Sequence, residues 1–449
     1  MSGETETTAY DLIFPRLDSF LRSMQAIGDV DDFVSDSSLS LNSVENSFVV
    51  QAKRLFPGVD SEVHLRAAEY IHPQIHLRMN SVERLKKKKA GKSSIEQWTK
   101  AWESGMKRKL AELTGDEEYF YKYARVWNSM STTGEKSKLI RNSLLMAAVS
   151  DFEVLISGLV RAFLELRPEI IKSAETKYSF SDLEPFSTLD DFRRHCAENM
   201  AETLLRGGFD DWMEWFGSKR KIRVEEVTEN APILVEIFQR RHLLVHNGGK
   251  VNKFYLSKVS GNSTPSEGEV LGVSRTYLKR SLDELTIAGI KLALSLVLKI
   301  GSNQKDLEEV DHYIYHLSLD FLTAESWRVA HRLCDWQLSF VQDSETRLIA
   351  SVNRWVAKKE IDGLESVGEE VEAWDVATLD GRYRLAKYSL LEKNKEAYAL
   401  AKSLIARGDI DRENWRDWPM LRGVRRYEAE NVDEQSRLWV SSFGDEHEH

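Results

Sequence analysis

Residues 138 to 166 read KLIRNSLLMAAVSDFEVLISGLVRAFLEL, with apolar side chains returning every three or four positions. Leu145, Ala148, Val149, Phe152, Ile156, Leu159, Val160 and Phe163 fall on one wide stripe if the segment is helical. A stripe that broad has to be covered by other helices. Only 8 prolines occur in 449 residues, so little interrupts runs of this kind, and alternating strand patterns are rare. The chain is therefore read as mainly α.

Three regions follow from the change of pattern along the chain. Residues 1–118 form a polar, helical N-terminal region, in which YDLIFPRLDSFLRSM is an amphipathic helix kinked or started by Pro15. The Ser-rich FVSDSSLSLNSVENSF reads as loop, and RLKKKKAGK places six basic residues among residues 84–92. That run fits either a solvated helix end or attraction to a phosphate backbone. Residues 119–302 form one helical domain, and residues 303–449 hold seven of the 12 tryptophans, Trp439 among them.

Within the middle region a second helix is expected over 188–205, with Thr188 and Asp191 as its start signal and Gly207 and Gly208 as its end. A third begins around Pro232, whose missing N–H costs nothing in a first turn, and stops at Gly248 and Gly249. The polar KVNKFYLSKVSGNSTPSEGEVLGVS holds the best strand candidates and reads as a loop with a short hairpin, and a closing helix spans about 276–301. Its apolar LTIAGIKLALSLVLKI, residues 285–300, is interrupted by Lys291 and falls short of the ~20 residues of a spanning helix, so it reads as buried core. The last region shows helical pairs, SWRVAHRLCDWQLSF with ETRLIASVNRWVAKK and DGRYRLAKYSLLEK with EAYALAKSLIARG. Ala386, Ala397, Ala399 and Ala401 suit close helix packing, and the second pair resembles a degenerate tetratricopeptide-type hairpin. Such hairpins build grooves that hold a protein partner, although a plain helical cap fits the same pattern.

The third helix carries the residues that least fit a core. On a helical projection Ile233, Leu234, Val235, Ile237, Phe238, Leu244 and Val245 share a broad arc, and Arg241 falls in its middle. An unpaired buried guanidinium is costly. Arg241 must meet an acid such as Glu153 or Asp151, a set of carbonyls, a polar subunit interface or the phosphate of a ligand. His242 and His246 share one flank of the arc, four residues apart, and an imidazole can exchange a proton near neutral pH. An Arg that neutralises phosphate beside a titratable His suits phosphodiester chemistry.

The segment RHLLVH, Arg241 to His246, resembles the R-x4-H motif of the HEPN superfamily, with His242 in the polar slot after the Arg. The setting is similar too: a long first helix, a second, the motif at the end of the third with HNGGKVNKFYL behind it, and a closing helix. The resemblance covers about 120–302. It implies a helical bundle that works as a homodimer, and a metal-independent endoribonuclease with two motifs facing each other across the interface. RNA would be the substrate, cut through attack by its own 2′-hydroxyl to leave a 2′,3′-cyclic phosphate. His246 would act on the attacking or leaving oxygen, Arg241 on the scissile phosphate, and His242 would orient the site. Arg240, Asn247 and Lys250 are expected to help hold substrate. Members act as effectors of bacterial antiviral defence and in toxin systems. One toxin subgroup carries Tyr two residues after the His, and this chain has Gly248 there, so control through that Tyr is not implied. Other members are non-catalytic, which leaves a scaffold that uses the domain for dimerisation as the alternative.

Composition removes other classes. A net charge of −10 argues against a coat for nucleic acid, without excluding a local basic site. Cys196 and Cys334 lie in no C-x-x-C pattern, so no disulfide framework is expected and a reducing cytoplasm is the expected setting. MSGETETTAYDLIFPRL shows no secretory pattern, and no membrane partner is expected. Neither a phosphate-binding G-x-x-x-x-G-K-[ST] loop nor a G-x-S-x-G elbow occurs, and no cofactor is expected. His64, His72 and His76, and the segment from Asp311 to His316, match no metal-ligand spacing; the terminal HEH reads as an acidic tail.

Overall fold

The stripe of residues 138–166 is covered as its width demands: all eight of its apolar side chains named above are buried. The structure is a computed structural model and describes residues 8–39, 44–87, 91–131, 133–172, 178–259, 265–301, 304–432 and 438. Among these the chain is mainly helical, and β pairing is confined to one antiparallel bridge between Lys250 and Val270.

The first helices are α1 (Ala9–Leu39), α2 (Val44–Leu55), α3 (Ser61–Lys87), α4 (Lys92–Thr114) and α5 (Tyr119–Ser131). α6 (Thr133–Leu166) carries the stripe and is followed by the single turns α7 (Glu169–Lys172) and α8 (Phe180–Leu183). Then come α9 (Leu189–Leu205), α10 (Phe209–Glu214), α11 (Ala231–His246), α12 (Lys253–Lys258) and α13 (Arg275–Ile300). The C-terminal helices are α14 (Gln304–Thr323), α15 (Trp327–Leu338), α16 (Ser344–Asp362), α17 (Glu365–Ala373), α18 (Gly381–Leu390), α19 (Asn394–Arg407), α20 (Arg412–Asp417) and α21 (Arg422–Asn431).

The central core is built on α1, α6 and α13. α13 is buried at every position from Glu284 to Val297, as its apolar sequence leads one to expect. Gly289 lets α13 lie close to its neighbours, since a Cβ there would come within 2.6 Å of the Phe20 ring and 3.0 Å of Leu155. α1 belongs to this core through Ile13, Leu17, Phe20 and Met24, although it lies in the sequence-defined region 1–118. α2 to α5 close a second core around Phe48, Leu110, Tyr123 and Val126. The Ser-rich stretch departs from the loop expectation. Its residues 33–39 continue α1, where buried Ser35 accepts from Arg141 at 2.9 Å, and residues 44–48 begin α2, where Phe48 is buried in the second core; residues 40–43 lie outside the described residues. Pro15 neither starts α1 nor ends it; the helix runs through it.

α9 starts as expected, with the Thr188 side chain accepting from the Asp191 N–H. Among its described residues the connection expected to hold a short hairpin carries α12 and one antiparallel bridge, Lys250 to Val270, with residues 260–264 outside the described residues. In the C-terminal region α15 packs on α16 and α18 on α19. Ala386, Ala397 and Ala401 are buried between helices, whereas Ala399 faces outward. Trp336 joins the central core with Val310, Ile314 and Leu333, which ties α14 and α15 to α13. Trp439, the terminal HEH and Lys88 and Lys89 of the basic run lie outside the described residues. One described helix, 137–166, is apolar and long enough to cross a membrane by length and composition, and half of its most apolar 18-residue window is buried inside the protein.

Candidate phosphodiester site at the end of helix α11

α11 buries Leu234, Ile237 and Phe238, and Phe238 meets the rings of Phe152, Phe209 and Trp212 at 5.8, 5.7 and 5.3 Å. One turn further along this face stands Arg241. The sequence left its partner open; in the fold it donates from Nη2 to the Glu153 carboxylate of α6, and each side chain is about a quarter exposed (26% and 27%). The Arg241 Nε–H is buried with no hydrogen-bond partner. Burial raises the Glu153 carboxyl above its ordinary range, against the opposing pull of Arg241. Contact with the guanidinium is thus too little to offset the lost hydration.

His242 and His246 are exposed, with ring centres 4.6 Å apart. Phe254 of α12 lies 6.1 Å from His242. His242 holds its proton less tightly than an ordinary histidine, first through partial burial, then through the charges of His246 and Arg241. It is therefore mostly neutral at pH 7. Val245, expected on the apolar arc, is half exposed (49%) beside these imidazoles, because α11 has by then run past the core that covers Phe238.

The helix end is fastened by backbone. Asn247 N–H and Gly249 N–H both donate to the Leu243 carbonyl, at 2.8 and 2.9 Å, and Leu271 N–H donates to Gly249 at 2.8 Å. Gly248 and Gly249 have φ of +58° and +79°, in the left-handed region. A Cβ on Gly249 would sit 2.4 Å from the Leu271 carbonyl oxygen, whereas one on Gly248 would meet open space. Room beside His246 thus comes from Gly248 alone. The Asn247 side-chain amide donates to the Lys250 carbonyl, and Lys250 is exposed on the bridge to Val270.

Arg240 is not placed with this group. Its Nε donates to Glu236 at 2.7 Å, Nη1 to the Gly272 carbonyl at 2.8 Å, and its guanidinium lies 4.0 Å over the Tyr277 ring. Tyr255 and Tyr277 donate to the two oxygens of Glu236, at 2.7 and 2.5 Å. This network joins α11 to α12 and α13 and engages the Arg240 guanidinium with partners of its own. Its sequence signal was the i,i+4 spacing of Glu236 and Arg240; the two tyrosines, distant in sequence, gave none.

The remaining histidines are accounted for locally. His64 is buried, 2.9 Å from the Tyr123 hydroxyl; half-buried His72 and exposed His76, and exposed His312 and His316, are neighbours along their helices. Asp311 accepts from the Gln337 amide. No group of three or more metal-ligating side chains occurs among the described residues. Comparison with known proteins gives no match: no protein-family model, no curated protein and no solved structure is detectably similar to this chain.

Proposed function

We propose that residues 119–302 form a HEPN-type ribonuclease unit that cuts RNA without a metal ion, as one half of a homodimer. The observation that carries this reading is the grouping at the end of α11: a part-buried guanidinium, Arg241, with two exposed imidazoles one turn apart, His242 and His246. Arg241 neutralises charge on the non-bridging oxygens of the scissile phosphate. His246 takes the proton of the adjacent 2′-hydroxyl, and that oxygen attacks phosphorus. The bond to the 5′-oxygen breaks, and this oxygen leaves with a proton from an imidazolium of the second copy. The products are a 2′,3′-cyclic phosphate and a 5′-hydroxyl. Neutral His242 orients the phosphate by hydrogen bonding. Asn247 and Lys250 lie beside the motif and suit contacts to the RNA backbone. Glu153 engages Nη2 of Arg241, so phosphate competes with that carboxylate for the same cation. In this reading the chain is an effector of bacterial antiviral defence or of a toxin system.

The test is cleavage of RNA in EDTA by the purified chain, with Arg241→Ala and His246→Ala beside it. Cyclic-phosphate ends from the parent and a loss of at least ~100-fold in both variants are expected. Unchanged cleavage in both, or a strict metal requirement, sinks the proposal. A second reading, a non-catalytic scaffold dimerised through this domain, is favoured by the Arg241–Glu153 pair itself, which occupies the guanidinium without any ligand. Under that reading neither variant changes RNA, and both change stability alone.

A further inference from the structure

Four cations stand on the five residues Lys219 to Arg223, between a turn of π-helix, Trp215–Lys219, and the segment that leads into α11. A basic run of this kind is ordinarily a solvated loop. Here the backbone is fixed. The Lys221 N–H donates to the Gly217 carbonyl at 2.9 Å and the Ile222 N–H to the Phe216 carbonyl at 3.0 Å, and Phe216 and Ile222 are buried in the central core. The turn therefore displays Lys219, Lys221 and Arg223, all exposed, from a closed and anchored frame.

Two features mark the turn as more than a solvated surface. Lys221 has φ of +58°, in the left-handed region, where glycine would sit without strain but without charge. Arg220 is half-buried, with its guanidinium 4.9 Å over the Trp215 ring. Burial weakens its hold on its proton, and among the described residues no carboxylate stands near enough to offset that cost. Arg241 meets the same difficulty with Glu153, whereas Arg220 has no such partner. A half-buried guanidinium left in this way calls for an anion from outside the chain. The ion pair of Lys219 with Glu214, at 3.4 Å, is exposed on both sides and easily exchanged.

The turn and the end of α11 are both placed by α6. Trp215 lies 5.8 Å from Phe163, while Arg241 meets Glu153. At ~1.5 Å per residue these two levels are about 15 Å apart along α6, a span of a few nucleotides. A lipid surface would take up large apolar side chains beside the cations, and among the described residues none between Leu189 and Val245 is exposed. We propose that the turn Lys219–Arg223 grips the phosphodiester backbone of single-stranded RNA a few nucleotides from the bond cut at α11; RNA as the occupant rests on the functional reading above. Such contacts fix the position of the strand without reading its sequence.

The test is binding of a 2′-O-methyl oligouridine, which has no 2′-hydroxyl to attack with, to the full chain across a salt series. The parent is expected to bind. Lys219→Glu, Lys221→Glu and Arg223→Glu together should weaken binding at least ~10-fold with unchanged circular dichroism. Each phosphate contact on a single strand contributes ~0.7 to the slope of log affinity against log salt, so the slope should fall by about 2. Arg220→Met removes the uncompensated charge and keeps an apolar contact on Trp215. It should weaken binding without lowering the thermal midpoint, a combination that a purely structural arginine does not give. The inference is overturned if the parent does not bind the oligouridine, if the triple variant keeps affinity and slope, or if Arg220→Met keeps affinity. Phosphatidylglycerol vesicles and polyglutamate run beside it, and a loss confined to either of them also overturns it. Oligouridine held through the turn by a chain that cuts no RNA would sink the nuclease reading and support the subsite. RNA cut by a chain whose turn variants bind normally would do the reverse.

Discussion

Arg241 ends an apolar stripe, and its pairing with Glu153 is a contest between hydration and charge. Burial wins at the carboxyl, which keeps its proton above the ordinary 4.5. The folded chain therefore holds this proton more tightly than the unfolded chain. The associated stability is present at acid pH and is lost as pH rises through the carboxylate range. Arg241 is the pull that limits that loss. Arg241→Ala should thus fall behind the parent in urea midpoint mostly above pH 4.5 and little below it. In a Glu153→Gln background the pH dependence should vanish, and a double-mutant cycle at pH 7 should give a coupling of about 1 kcal/mol. Equal losses at all pH values would show that the pair carries no such linkage. The same charge acts on His242. Its proton affinity lies below the ordinary 6.5 partly because of Arg241, so ring resonances in Arg241→Ala should titrate at a higher pH than in the parent. A downward or absent shift would place the two groups out of electrostatic reach. At this scale the sequence was half legible. The misfit of Arg241 in an apolar arc was plain, and Glu153 stood among its candidate acids. The choice between Glu153 and Asp151 needed the crossing of α11 on α6, which no local pattern encodes.

The end of α11 is set by two glycines that look equivalent in sequence and are not equivalent in the fold. Both have left-handed backbone, where any other residue is strained by roughly 1 to 2 kcal/mol. Gly249 alone faces an obstacle, the Leu271 carbonyl oxygen 2.4 Å from a Cβ. Gly248→Ala should cost about 1 kcal/mol, and Gly249→Ala should cost at least ~1 kcal/mol more, because the bridge strand must shift as well. Denaturant unfolding of both variants measures the difference, and equal costs would mean that the 271 backbone yields freely. Helix boundaries of this kind were legible because caps are local chemistry: Thr188 at α9, Pro232 and the two glycines at α11. The Ser-rich segment misled for the complementary reason. Serine disfavours helix only weakly, and tertiary packing of Phe48 and its neighbours overrides that preference.

At the scale of the whole molecule, the boundary drawn at residue 302 crosses a buried charge network. Glu284 on α13 is 3% exposed and accepts from Arg332 of α15 at 2.6 Å and from the Asn230 amide at 3.0 Å. Arg332 also reaches Glu229 at 3.3 Å, and Lys291, 4% exposed, lies 3.6 Å from the same carboxylate. Asn230 directly precedes α11, with its side chain turned to Glu284 rather than to the helix end, so this network links the helix carrying Arg241 to the C-terminal helices. Composition and periodicity separate the two regions by character, yet they say nothing about charges buried where the regions meet. That interface is held by the partners, not by propensity. Losing one partner of a buried pair costs on the order of 3 to 5 kcal/mol, since the other charge stays behind in the core. Arg332 is 16% exposed at its side chain, which puts Arg332→Ala toward the lower figure. Shared apolar contacts through Trp336 and Leu333 remain in that variant. The parent should therefore unfold residues 133–432 in one calorimetric transition, while Arg332→Ala should split it into an earlier and a later step. Arg332→Met, which removes the charge but keeps much of the volume, should split it too, and Glu284→Gln combined with Arg332→Met should restore a single transition, because no unpaired charge is then left in the core. One unsplit transition in every variant would mean that apolar packing alone joins the two regions.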